Sequence, residues 1–91
     1  LVLPKRHVPS IFDLSREEYV DLWETVAEVR AALCREERVS AFTIGVNDGS
    51  AAGQTVLHAH IHVIPRRPAD TKDPRGGIRW VLPSTAKYWA D

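Results

Sequence analysis

The chain has 91 residues, room for one small domain and not two. Its 12 Lys and Arg balance 12 Asp and Glu, so no long-range positive field marks it as the partner of a nucleic-acid polymer. A single cysteine, Cys34, excludes an internal disulfide, and no secretory-type leader or apolar run near the roughly 18 residues of a membrane span is present, so a cytoplasmic protein without membrane contact is expected.

Leu1 to Leu3 reads as the end of a strand that Pro4 limits, and an opening without methionine suits a fragment. A connection follows to Ile11. Ser15 and Glu18 then stand at capping-box spacing, with Leu14 and Tyr19 placed as a hydrophobic staple, which starts a helix. Tyr19, Leu22, Trp23, Val26, Val29 and Leu33 recur at three- and four-residue spacing, so the helix expected over Ser15 to Cys34 presents one apolar face to a sheet.

From Ser40 to Asn47 the period becomes two, with Phe42, Ile44 and Val46 alternating against smaller residues. Turn residues 47–53 lead to a second expected strand, Thr55 to Ile64, antiparallel to the first. Leu57, Ala59, Ile61 and Val63 should face the core, and Val56, His58, His60, His62 and Ile64 the other side. The expected class is α+β: an antiparallel sheet with a long helix on the face opposite the histidines, all within one domain of residues 1–91. Residues 65–91, rich in Arg, Pro, Gly and Asp, form a C-terminal tail with a short apolar segment at Ile78 to Leu82.

Three of the four histidines share one strand face, where packing alone gives them no purpose, because each ring nitrogen needs a partner. Neighbours in the row lie roughly 6.6 Å apart along a strand and the outer pair about 13 Å apart, too far for all three to share one zinc. Two of them with His7 or a carboxylate could bind an ion, but no Asp or Glu lies between Asp48 and Asp70. Covalent catalysis suits the row better. The central His60, supported by its neighbours and main chain, can keep one nitrogen protonated and present a lone pair on the other. Lys5, Arg6, Arg66, Arg67, Lys72, Arg75 and Arg79 could supply a local patch for a small anion, although each alone reads as a solvated surface charge.

The run Gly53-Gln54-Thr55-Val56-Leu57-His58-Ala59-His60-Ile61-His62-Val63-Ile64 resembles the signature of the histidine triad (HIT) family, His-x-His-x-His with a Gly-Gln-Ser/Thr-Val lead-in. Leu1 to His7 and Val46 to Gly49 are similar to the segments before the family's long helix and its active-site loop. The resemblance implies a HIT-like fold whose first strands and opening helix are absent here, together with the upstream ribose-binding carboxylate. It implies that His60 is the nucleophile, that His62 contacts phosphate oxygens on the leaving-group side, and that His58 supports His60 through its main-chain carbonyl. Asn47 matches a phosphate or ribose contact, Thr55 a hydroxyl near the leaving group, Gly53 and Gln54 a loop whose backbone closes on phosphate, and His7 a histidine near the phosphates in some members. Beside these stand plainer readings: Asn47 as a turn former, Thr55 as a strand residue, Gly53 as a positive-φ position and His7 as an exposed turn histidine.

By the same resemblance the expected activity is hydrolysis or transfer at the alpha-phosphorus of dinucleoside polyphosphates, releasing a nucleoside monophosphate. Nucleoside phosphoramidate hydrolysis, a metal-dependent hydrolase and a non-catalytic nucleotide-binding protein are the alternatives. No cofactor is expected for the chemical step, with Mg2+ only as the substrate's counter-ion. A homodimer is expected, because three Trp and a long apolar helix face exceed what so small a domain can hide. In the tail, Trp80 offers a stacking surface and Arg79 a phosphate contact, or Trp80 and Trp89 bury themselves in a dimer seam.

Overall fold

The computed structural model describes residues 1–90. Its main elements are α1 (Arg16–Glu37), β1 (Ala41–Gly45), β2 (His62–Arg66) and α2 (Pro83–Ala86), with short 3-10 turns at Ile11–Asp13, Ser50–Ala52 and Gly77–Val81. The α+β reading holds: one long helix lies against an antiparallel sheet.

Local signals set the start of α1. The Ser15 hydroxyl accepts from Glu18 N while the Glu18 carboxylate accepts from Ser15 N, so both arms of the capping box are closed. Arg6 adds a two-pronged ion pair to the same carboxylate, at 2.9 Å, which together with the two Ser15 bonds holds Glu18 down at a pKa of about 2. The helix runs past Cys34 to Glu37 and stops at Arg38, which takes a left-handed conformation with φ 53°.

β1 and β2 pair from Ala41↔Arg66 to Gly45↔His62. The expected strand from Thr55 to Ile64 is thus corrected at both ends. It begins late because the chain bends at residues 56–58, and it continues through Pro65, opposite Phe42. Proline is compatible with that position because β2 has β1 on one side only. On its other side Ile61 exchanges two hydrogen bonds with Val2, at 2.8 and 2.9 Å, which gives the apolar start of the chain its strand contact.

Leu22 and Val26 from α1 pack with Val2, Val8, Ile11, Ala59 and Ile61, and Ile61 is fully buried. Ile44 and Val63, facing pair partners, lie against this cluster, and Arg30 of α1 stacks over Phe42 at 5.2 Å. One sheet face is therefore the helix face. Leu57 is the exception to its expected set, 66% exposed, because it sits in the bend where two-residue alternation has not yet begun.

Candidate functional site

Cross-strand partners point to the same side of a sheet, so His62, Ile64 and Arg66 share a face with Gly45, Thr43 and Ala41. The bond from Arg66 Nη1 to Thr43 Oγ1, 3.0 Å, lies on that face. His60 joins this side through its ring contact with His62, while buried Ala59 and Ile61 face the helix; His58 lies in the bend and is placed by its own bond to Pro4.

Carbonyl oxygens fix the state of two of the three imidazoles. His60 Nδ1 lies 2.8 Å from the carbonyl oxygen of His58. A carbonyl only accepts, so Nδ1 carries a proton, and in the neutral ring the lone pair is on Nε2. This is the contact implied by the resemblance. His58 Nε2 donates in the same way to Pro4 O at 2.9 Å, which ties the first histidine to the N-terminal turn. His60 and His62 stand edge to face with ring centroids 5.0 Å apart. His7, though exposed, is brought into the row: its ring meets that of His58 edge-on at 4.7 Å.

The loop before the histidines is organised by Gln54 through its side chain. It is the one buried polar residue of the described chain, 7% exposed. Its carbonyl oxygen accepts from Gly49 N at 2.8 Å, and its amide donates to Pro9 O at 2.7 Å and Val56 O at 3.0 Å. The side chain therefore staples the loop to itself and to the segment before α1. The backbone N–H groups of Gly53 and Gln54 donate to Ser50 O and Gly49 O within the loop, so these two residues shape it and do not present donors outward. Gly53 has φ 92°, where a side chain is strained. Thr55 is exposed, and Asn47 is half-buried two residues beyond β1, where the alternation that buries Val46 against the core turns it toward the histidine side.

Most of the expected basic patch is occupied elsewhere. Arg6 binds Glu18, Arg66 binds Asp70 at 2.8 Å, Arg67 approaches Glu37 at 3.6 Å and Arg75 binds Asp73 at 2.9 Å. The Arg66 guanidinium and the Arg67 N–H hold the Asp70 carboxyl down at about 2. Arg79 is held within the tail, where its Nε and Nη2 donate to Ala86 O and Thr85 O at 2.9 and 2.7 Å. Among the described residues no group of three or more His, Cys, Asp or Glu side chains is arranged to hold a metal ion, and no helix is long and apolar enough to cross a membrane.

A protonated Nδ1 backed by a carbonyl and a lone pair on Nε2, flanked by a second imidazole, is what a neutral histidine nucleophile requires. Comparison with known proteins finds similar chains. Over 70 residues, 77% of this chain, it is 46% identical to the bis(5'-nucleosyl)-tetraphosphatase [asymmetrical] of Schizosaccharomyces pombe, covering 38% of that protein. Over the same share it is 43% identical to the bis(5'-adenosyl)-triphosphatase of Dictyostelium discoideum, covering 47% of it. The crystal structure of the C. elegans NitFhit protein superposes with a TM-score of 0.73 at 43% identity, over 87% of this chain and 19% of that one. The chain thus spans less than half the length of each of these relatives. Residues 1–69, which hold the helix, the sheet and every histidine, match the HIT domain, and the chain belongs to that family.

Proposed function

We propose that the protein cleaves dinucleoside polyphosphates at the alpha-phosphorus through a covalent nucleotidyl-histidine intermediate. The observation that carries this reading is the bond from His60 Nδ1 to His58 O, which assigns the lone pair of the neutral ring to Nε2. The names of relatives that act on dinucleoside tri- and tetraphosphates support the substrate class.

In the first step the Nε2 lone pair attacks phosphorus, a P–N bond forms, and the P–O bond to the leaving polyphosphate breaks. His62, 5.0 Å away between ring centroids, is placed to contact the phosphate oxygens and the departing oxygen, which takes up a proton. In the second, water attacks the phosphoramidate, the P–N bond breaks, and the electron pair returns to Nε2 as the nucleoside monophosphate leaves. His58 acts as a positioning residue, holding its carbonyl toward His60 while its own ring is anchored on Pro4. His7 lies beside His58, Asn47 serves as a phosphate or ribose contact, Thr55 offers its hydroxyl near the leaving group, and Gly53 with Gln54 keeps the loop in shape. No metal takes part in bond making in this reading; Mg2+ serves as counter-ion to the polyphosphate, and turnover is expected to survive chelation.

The protein works in this reading as a cytoplasmic homodimer. A mostly apolar surface on α1 formed by Tyr19, Val20, Trp23 and Ala27, with Glu24 among them, supports the pairing of two copies. The deciding experiment is mass spectrometry of protein quenched during turnover of diadenosine tetraphosphate. An added adenylyl group mapping to the peptide of His60, and its loss in His60→Ala with substrate binding retained, is expected; an adduct on His58 or His62 overturns the assignment.

A further inference from the structure

The tail beyond residue 69 lies outside the family match, yet it reaches the histidine face. Gly45 is paired directly with His62, so any side chain at position 45 would project beside that of His62, with Cβ atoms about 5 Å apart. The tail fills this space. A Cβ built on Gly45 would lie 3.0 Å from Cδ1 of Ile78. The missing side chain of one strand thus admits an apolar side chain from another part of the chain next to the third histidine.

Ile78 is held there by a rigid support. Around it Trp80 Nε1 donates to Arg75 O at 2.7 Å, and Arg79 grips Thr85 O and Ala86 O. The Arg75 guanidinium lies 4.6 Å from the Trp89 ring centroid, and that of Arg79 lies 5.2 Å from Tyr88. Gly76, at φ 88°, packs against Trp80 and Trp89, where a Cβ would come within 3.1 Å. A residue that merely anchored this knot would be buried at the seam, but Ile78 is 56% exposed. Much of its surface remains available to a bound molecule.

We propose that Ile78 is a specificity-determining residue, an apolar wall beside His62 that favours leaving groups carrying a nucleoside over small polar ones. The proposal rests on the preceding reading, in which His62 faces the leaving side of the phosphorus attacked by His60. A leaving nucleotide can extend past His62 to lay apolar ring surface on Ile78. Ammonia leaving from a phosphoramidate is too small to reach it.

The test compares kcat/KM for diadenosine tetraphosphate and adenosine 5'-phosphoramidate, which deliver the same adenylyl group to His60. Ile78→Ala is expected to lower the dinucleotide value about five- to tenfold, the modest effect suited to a few half-exposed carbons, and the phosphoramidate value less than about twofold. Gly45→Ala meets only the end of a flexible side chain, so it should displace the Ile78 methyl and shift the ratio in the same direction without loss of fold. Ile78→Leu should restore most of the ratio. An equal fall with both substrates, or an unchanged ratio in Ile78→Ala, overturns the proposal. Release of AMP from neither substrate by the unaltered protein counts against the proposed function instead. Calorimetry in a His60→Ala background, where substrate is bound but not cleaved, then reads Ile78 directly: Ile78→Ala must weaken binding of diadenosine tetraphosphate relative to AMP, and an unchanged relative affinity overturns the role.

Discussion

Replacing Gln54 by leucine tests whether the loop before the histidines is held by one side chain. Leucine keeps the bulk and removes three hydrogen bonds, of 2.8, 2.7 and 3.0 Å, to Gly49 N, Pro9 O and Val56 O. At about 1 kcal/mol net for each bond the loss comes to about 3 kcal/mol, less wherever a freed group reaches water. That is a large share of the roughly 5–15 kcal/mol by which small domains are stable. Gln54→Glu separates the two ends of the amide: one carboxylate oxygen can still accept from Gly49 N, but the other faces two carbonyl oxygens and repels them. Urea denaturation followed by Trp fluorescence and far-UV circular dichroism should give midpoints in the order wild type, Gln54→Leu, Gln54→Glu at pH 7, with glutamate recovering as acid protonates it. A loss below about 0.5 kcal/mol in Gln54→Leu, with both variants equal, would show that the staple does not hold the loop.

Three other outcomes are expected. The Glu18 carboxyl is held near 2 against an ordinary 4.5, so its contribution to stability is complete above about pH 4.5 and disappears as the pH falls through about 2; Glu18→Gln should flatten acid titration of stability in that window, and an unaltered acid limb would refute the ion pair with Arg6. Gly53→Ala meets no atom within 4 Å, so its cost should be purely that of φ 92°, about 1–2 kcal/mol by chemical denaturation, and a neutral substitution would mean that the loop adopts another conformation. Light scattering at micromolar concentration should give twice the subunit mass, reduced toward one by Val20→Glu on this α1 surface; a monomeric wild type removes the dimer from the proposal.

Features written within a few residues were legible. Ser15 and Glu18 announce the helix start because both arms of the box are local, and the histidine row follows from two-residue alternation together with a recognisable motif. What escaped depends on distant partners. Nothing near Leu57 states that the chain bends there, since Gln54 draws Val56 and Pro9 to the same amide across 45 residues. The arginines that suggested an anion patch each have a nearby or distant acceptor, and Gly45 acquires its meaning only from Ile78. A signal for Gln54 was available in hindsight: a long polar side chain directly after a positive-φ glycine has a short route back into its own turn.

The anchoring of His58 on Pro4 has a consequence for when the site comes into being. That bond spans 54 residues, and the Ile61 to Val2 pair is more distant still in the chain. α1, by contrast, is nucleated by contacts within its first turn and belongs to the class of structure that forms in about a microsecond. Closing the long loop is the slower event, because its entropy is lost before any distant contact compensates. During refolding, helical signal should therefore recover before His58 gains its anchor on Pro4. A newly made chain would pass through a stage that is already helical and still chemically inert.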